Sequence, residues 1–199
     1  MFGPTQVLLI RHGQSTWNAH GRWQGHADPP LSGDGILQAR QAALQLGTFD
    51  AVFTSDLQRA RHTADLLSAE LGIGPVIVEP QLRERAAGEW TGLTRAEIEA
   101  GWPGALADGG RPEGYESDAD VYQRAVGALA LVHRLVPGGL VLAVSHGGLI
   151  RAVERFLGHD GGLIANLGGR WIFITDEQAT LGERVALIDP APLPAPEAL

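Results

Sequence analysis

The stretch that decides the fold is VLLIRHGQSTWN at residues 7–18. Its four apolar residues run directly into Arg11, His12 and Gly13, which predicts a buried strand that presents a cation and an imidazole at its carboxyl end. Ligands of open α/β sheets bind at that edge, so we expect a site here. Arginine offers a fork of donors to phosphate or carboxylate, and histidine can act as a nucleophile or an acid–base group. The pair therefore favours an anion site over a metal site.

A second stretch, LAVSHGG at residues 142–148, repeats this pattern. An apolar strand again ends at a histidine, His146, and two glycines then open a helix. The free N–H groups and the dipole at a helix N-terminus favour an anion. We therefore expect the two strands to deliver His12 and His146 to the same edge of one sheet.

Strand and helix patterns alternate along the chain, which predicts an α/β fold, a three-layer α/β/α sandwich around a mostly parallel sheet. The predicted strands cover about residues 7–10, 51–54, 76–78, 140–145, 171–174 and 184–188. The predicted helices cover about residues 33–46, 56–70, 95–100, 118–135 and 149–157, with Ser32 or Gly33, Ser55 and Ser117 as N-caps. We expect one domain over residues 1–189 with a lid at about 83–117, and a disordered Pro-rich tail at 190–199.

Composition excludes several classes of function. The 199 residues carry a net charge of −8, which argues against a nucleic-acid partner or an anionic membrane surface. The chain has no cysteine, which excludes thiolate catalysis, and all 15 basic residues are arginine, which excludes Schiff-base chemistry. No apolar run is long enough for a membrane span and the N-terminus lacks a signal-peptide pattern, so we expect a cytoplasmic protein.

Two further motifs are polar. SDLQRARHTA at residues 55–64 follows a predicted strand, so its first turn faces the same edge of the sheet. LRERAAGEWTG at residues 82–92 is, taken alone, a polar loop with an aromatic anchor.

Taken together and in their order along the chain, the four motifs resemble the histidine phosphatase superfamily, the phosphoglycerate mutase-like enzymes, and most of all its small bacterial broad-specificity phosphatases. The resemblance covers about residues 7–188. It implies that His12 is the nucleophile, that Arg59 binds phosphate and that Glu84 is the acid–base group, with Glu89 as a competing carboxylate for that role. It also implies substrate-binding roles at six matched positions: Gly13, Ser15, Asn18, Gln24, Gly25 and Gly147.

The chemistry that the resemblance implies is double phosphoryl transfer without a metal or other cofactor. Neutral His12 attacks the phosphorus while Glu84 protonates the leaving alkoxide, and water then attacks the phosphohistidine with Glu84 as base. Arg11, Arg59 and a cationic His146 are expected to compensate the charge on the non-bridging oxygens. The two arginines should also lower the pKa of His12 and keep it neutral. The expected partner is a small-molecule phosphate ester, and a homodimer is expected by analogy alone.

A cofactor-dependent phosphoglycerate mutase is the main alternative. Mutases of this kind carry a Tyr shortly after the acidic residue, and a Lys and an Arg-Arg pair further on. This chain has Ala87 where the Tyr would be, Arg95 near the Lys position, and only Arg111 between residues 102 and 115. The phosphatase is therefore favoured over the mutase.

Two alternatives come from other classes of protein. A metallohydrolase would use His12, His146 and Glu84 as a two-His-one-carboxylate set. Arg11 and Arg59 would repel a cation there, which disfavours a metal. A non-catalytic sensor of phosphorylated ligands would lack the nucleophile or the acid, and this chain has both.

Overall fold

Strand β1, Thr5–Arg11, pairs in parallel with β4, Leu140–Ser145, and antiparallel with β5, Gly168–Ile174. The computed structural model describes residues 3–189. The remaining strands are β2 (Ala51–Thr54), β3 (Val76–Val78) and β6 (Ala179–Ala186). The sheet has the order β3-β2-β4-β1-β5-β6, and β5 is antiparallel to both of its neighbours. The sheet is therefore mostly parallel, as predicted.

The α-helices of the described residues follow the predicted alternation with strands. They are α1 (Thr16–Ala19), α2 (Gly33–Ala43), α3 (Gln58–Leu71), α4 (Arg95–Gly101), α5 (Ala105–Asp108), α6 (Asp118–Leu135) and α7 (Gly147–Phe156). None of these helices within residues 3–189 combines the length and the apolar character that crossing a membrane requires.

Successive side chains of β1 point to opposite faces of the sheet, so they pack into two different hydrophobic cores. Val7 and Leu9 pack on one face of the sheet with the buried residues of α6 and α7. Leu8 and Ile10 pack on the other face with those of α2 and α3. Because all four side chains are buried, β1 lies inside the sheet with a helical layer on each side. The prediction of a three-layer α/β/α sandwich is confirmed.

Two of the predicted helix caps are confirmed and one is wrong. The hydroxyls of Ser32 and Ser117 each accept a hydrogen bond from the first turn of their helix. Ser55 does not cap α3, whose N-cap is Leu57. The Ser55 hydroxyl accepts from the backbone N–H of Leu57 and contacts the ring of His146, so it does not reach the first turn of the helix.

Other boundaries differ by a few residues. Helix α2 ends at Ala43 rather than at about residue 46, and α7 begins at Gly147, directly after His146, rather than at residue 149. The last two strands begin earlier than predicted, at Gly168 and Ala179. Strand β6 lacks a regular alternation of buried and exposed residues, so periodicity could not locate it. The predicted disordered tail lies outside the described residues.

The segment of residues 83–117 carries its own small aromatic core. Trp90 is fully buried, and its ring lies edge-on to the rings of Trp23, Trp102 and Tyr115, at centroid distances of 5.2, 6.3 and 5.9 Å. These contacts pack the segment against the loop that follows α1. That the segment acts as a lid stays a prediction.

Candidate active site

Two histidines meet at the carboxyl edge of the central strands. His12 directly follows β1 and His146 directly follows β4, and Arg11 is paired with Ser145 in the register of the two parallel strands. The two rings lie edge-to-face with centroids 5.1 Å apart. Glycine is required at position 13 because a Cβ there would lie 2.6 Å from the carbonyl oxygen of Gly35.

His12 is held in one neutral tautomer. Its Nδ1 lies 2.6 Å from the carbonyl oxygen of Gly13, which can only accept, so Nδ1 carries the proton. The lone pair is therefore on Nε2, which accepts a hydrogen bond from Arg59 Nε at 3.3 Å. Burial, and then the charges of Arg59 and Arg11, hold the pKa of His12 well below its ordinary value. The arginines act as predicted, but burial has the larger effect.

Backbone carbonyls fix the two arginines. Arg59 is fully buried and donates to the carbonyl oxygens of Ala27 at 2.7 Å and Gly25 at 2.9 Å. Arg11 donates to the carbonyl oxygen of Ile164 at 2.8 Å. These acceptors orient the two guanidinium groups, and Arg59 Nη1 also lies 4.0 Å from Oδ1 of the exposed Asp28. Two arginines held in fixed orientations beside His12 are the arrangement that an anionic ligand needs.

Glu84 lies at the N-terminus of α7. Its Oε2 accepts from the backbone N–H of Gly148 at 3.1 Å, and its Oε1 accepts from the N–H of Arg85 at 2.7 Å. A Cβ at Gly148 would lie 2.4 Å from Oε1, so only glycine lets the carboxylate approach this closely. Glu89, the competing carboxylate, is exposed and does not line the cavity beside His12.

His146 differs from the expectation of a cation. The ring is fully buried, and burial followed by the charge of Arg59 holds its pKa well below the ordinary value, so it is neutral in this structure. Its Nε2 lies 2.9 Å from the hydroxyl of Ser55. Its Nδ1 is buried without a hydrogen-bond partner. Such an orphaned polar atom is costly in a folded protein and marks a place where a ligand can supply the missing contact.

A small cavity of about 30 Å³ lies between His12, the two arginines and Glu84, and His146 is not among the residues that line it. Of the predicted site residues, it is lined by Arg11, His12, Gln24, Gly25, Arg59 and Glu84. Its other walls are Trp23, Arg85, Ala87 and Tyr115. Those four positions were not predicted as site residues, although Trp23 and Arg85 are sequence neighbours of residues that were.

The other predicted substrate-binding residues support the groups that line the cavity. Ser15 caps α1 by accepting from the N–H of Asn18 at 3.0 Å, and the Asn18 side chain accepts from the N–H of Ser15 at 3.1 Å. Ser15 also donates to the Gln24 side chain at 2.8 Å, so it fixes a group that does line the cavity. A Cβ at Gly147 would lie in ordinary contact with Arg11, at 3.5 Å from Cδ.

Asn166 contacts the backbone of the site but has no signal in the sequence. Its side-chain amide donates to the carbonyl oxygen of His12 at 2.9 Å. The two residues are far apart in the chain, and no motif surrounds Asn166, so only the fold could bring it to notice. Across residues 3–189, no group of three His, Asp or Glu side chains is arranged to hold a metal ion.

Known proteins share this arrangement of motifs and fold. Residues 7–168 match the model of the histidine phosphatase superfamily (branch 1). A metal-independent phosphoserine phosphatase from Arabidopsis thaliana is 36% identical over 159 residues, which cover 75% of this chain and 67% of that protein. A 2,3-bisphosphoglycerate-dependent phosphoglycerate mutase from Methylobacterium radiotolerans is 35% identical over 165 residues, which cover 76% of this chain and 78% of the mutase.

A solved structure gives the same result. The mycobacterial glucosyl-3-phosphoglycerate phosphatase in complex with VO3 superimposes with a TM-score of 0.81 at 32% identity, over 89% of this chain and 97% of that one. The match to the family covers both histidine motifs and the two polar motifs between them. The chain therefore belongs to the histidine phosphatase superfamily, branch 1.

Proposed function

We propose that this protein is a metal-independent phosphomonoester hydrolase that acts through a phosphohistidine intermediate on small organic phosphates. The observation that carries the proposal is the state of His12. Its neutral ring presents the Nε2 lone pair beside Arg59, in a cavity that Glu84 also lines. A nucleophile, a cation for the phosphoryl oxygens and a carboxyl group for the leaving oxygen are the parts that this reaction needs.

The first half of the reaction forms the intermediate. His12 Nε2 attacks the phosphorus, the bond to the ester oxygen breaks, and protonated Glu84 gives its proton to the leaving alkoxide. In the second half, water attacks the phosphohistidine and gives a proton to the Glu84 carboxylate. The P–N bond breaks, phosphate leaves, and His12 and Glu84 return to their starting protonation states. Arg11 and Arg59 neutralise the non-bridging oxygens throughout.

The wall that contains Tyr115 favours an acidic substrate. Arg85 and Arg111 lie over the ring of Tyr115, with guanidinium carbons 5.3 and 5.2 Å from its centroid. Both Arg85 and Tyr115 line the cavity. Arg85 forms a salt bridge with Asp118, so the attraction rests on Arg111, whose charge beside Tyr115 favours a substrate whose organic part is itself anionic. Phosphoserine and 3-phosphoglycerate, which carry a carboxylate, are therefore the first esters to test.

Phosphoglycerate mutase activity is the second candidate, because a mutase is among the relatives of similar identity. Against it stands Ala87, which lines the cavity where mutases carry a Tyr. The small side chain gives substrate no hydroxyl at this wall.

The experiment that tests the proposal is phosphate release from a panel of phosphomonoesters in EDTA. We expect release that is unaffected by EDTA and lost in His12→Ala, with full activity in His62→Ala, which removes an exposed histidine of α3. Acid-labile 32P on the wild-type protein would identify the intermediate. Loss of activity in EDTA, or release by His12→Ala, would overturn the mechanism. Conversion of 3-phosphoglycerate to 2-phosphoglycerate with bisphosphoglycerate, without release of phosphate, would favour the mutase.

A further inference from the structure

The hydroxyl of Ser55 lies where β2 ends, directly against the second histidine. Ser55 is fully buried, and its Oγ is 2.9 Å from Nε2 of His146. Its backbone N–H donates to the carbonyl oxygen of Val144 at 3.0 Å, which ties this residue to the end of β4. The position of the hydroxyl relative to the ring is therefore set by the sheet itself.

The direction of the hydrogen bond between Ser55 and His146 follows from the other contact of the hydroxyl. The Oγ of Ser55 already accepts from the backbone N–H of Leu57 at 3.2 Å. A hydroxyl has one proton to donate, and in the described part of the chain His146 Nε2 is the acceptor that the structure offers it. Ser55 therefore donates, and Nε2 is the unprotonated nitrogen of the ring.

This direction decides what the other ring nitrogen can do. Because the buried ring is neutral, its single proton must lie on Nδ1. Nδ1 is buried and has no partner, and the ring lies edge-to-face with that of His12, the attacking group of the proposed reaction. The Nδ1–H group is therefore an unpaired neutral donor beside the nucleophile. A phosphoryl oxygen could accept its hydrogen bond.

We propose that Ser55 is a positioning residue that holds His146 as the neutral Nδ1–H tautomer, so that the ring donates a hydrogen bond to a non-bridging oxygen of the phosphoryl group. The role of His146 as donor rests on the proposed function. The tautomer of His146 does not rest on the proposed function, because it is a property of the protein without substrate.

The test reads the tautomer directly. Protein labelled with 15N in its imidazole rings is examined by long-range 1H–15N correlation at neutral pH without ligand, and His146→Gln assigns the signal. We expect the wild-type ring to show a protonated Nδ1 and an unprotonated Nε2. In Ser55→Ala we expect the Nε2–H form to appear, and in Ser55→Thr, which keeps the hydroxyl, the wild-type pattern.

Kinetics then connect the tautomer with catalysis. Loss of one preorganised donor predicts a fall in kcat of about 10- to 100-fold in Ser55→Ala with a smaller change in KM, and recovery to within about threefold in Ser55→Thr. Ser68→Ala is the matched control, because that hydroxyl bonds the carbonyl of Ile73 beyond the far end of α3.

Each result decides the proposal. An Nε2–H ring in the wild type, or a pure Nδ1–H ring in Ser55→Ala, would overturn the positioning role. If no phosphomonoester is hydrolysed, the proposed function fails, and the spectra still decide the tautomer. If the tautomer changes in Ser55→Ala but kcat does not, the donor role of His146 is wrong.

Discussion

The carboxylate of Glu84 accepts a hydrogen bond from the backbone N–H of Gly148 at 3.1 Å, which joins the 83–117 segment to the first turn of α7. This contact orients the proposed acid–base group with the peptide of a helix N-terminus. It also needs glycine, since a Cβ at position 148 would overlap Oε1 of Glu84.

Substitution Gly148→Ala is expected to separate stability from activity. The overlapping atom is the end of a flexible side chain, so the fold adapts by moving Glu84 rather than by unfolding. Alanine favours a helix over glycine by about 1 kcal/mol, so the melting temperature should stay the same or rise. The displaced carboxylate should lower kcat by about 10-fold or more. Calorimetry and steady-state kinetics measure the two effects.

Gly101→Ala is the control for this prediction. It makes the same change in α4, where a Cβ would meet nothing within 4 Å. An unchanged kcat in Gly148→Ala would mean that the position of Glu84 does not matter to the reaction.

Arg59→Gln should weaken catalysis and move its pH dependence. Removing one donor to the transition state lowers kcat/KM by about 100- to 1,000-fold. The charge of Arg59 also lowers the pKa of His12, so without it this pKa rises and the acidic limb of the kcat/KM profile moves to higher pH. The profile of Arg61→Gln, an exposed neighbour on α3, should match the wild type. An acidic limb that stays in place would show that His12 does not produce it.

The two buried histidines should make the protein less stable in acid. The pKa values of both histidines are lowered in the folded state. Below about pH 6.5 the unfolded chain therefore binds protons at these histidines that the folded protein does not bind. Their contribution to stability is complete above pH 6.5 and is lost as the pH falls toward the folded-state values. The slope reaches about 1.4 kcal/mol per pH unit for each histidine.

Urea unfolding between pH 7.5 and 5 measures this slope. The variant His12→Gln/His146→Gln should flatten it, whereas His20→Gln/His62→Gln, which removes two exposed histidines, should not. Equal slopes in the two double variants would contradict the neutral, buried state of the pair.

Arg184→Met should destabilise the fold far from the cavity. Arg184 donates to both carboxylate oxygens of Glu154, which is 1% exposed, and to the carbonyl oxygen of Gly161. Loss of the partner leaves a buried carboxylate whose nearest remaining cation is Arg170 at 3.5 Å. We expect a loss of about 3 kcal/mol in the free energy of unfolding. Arg134→Met, on the exposed side of α6, should change it little. A loss below about 1 kcal/mol would mean that Arg170 compensates fully.

The sequence was most informative where local pattern and chain direction agree. The meeting of His12 and His146 could be predicted because each follows an apolar strand and parallel strands end at one edge. Asn166 and the Gly148 contact to Glu84 depend on long-range packing and left no local pattern. Ser55 was predicted as a cap because its sequence context suits one. The ring that it contacts is 91 positions further along the chain.

Arg59 is held by donating to the carbonyl oxygens of Gly25 and Ala27, so the loop that borders the cavity also positions the proposed phosphate-binding cation. Replacing that loop to obtain a new substrate preference would therefore also displace Arg59 and lower the catalytic rate. Tyr115 lines another part of the cavity and lies against Arg85 and Arg111 instead. Variation in specificity among descendants of this chain, natural or engineered, should therefore accumulate on the Tyr115 side and spare the loop.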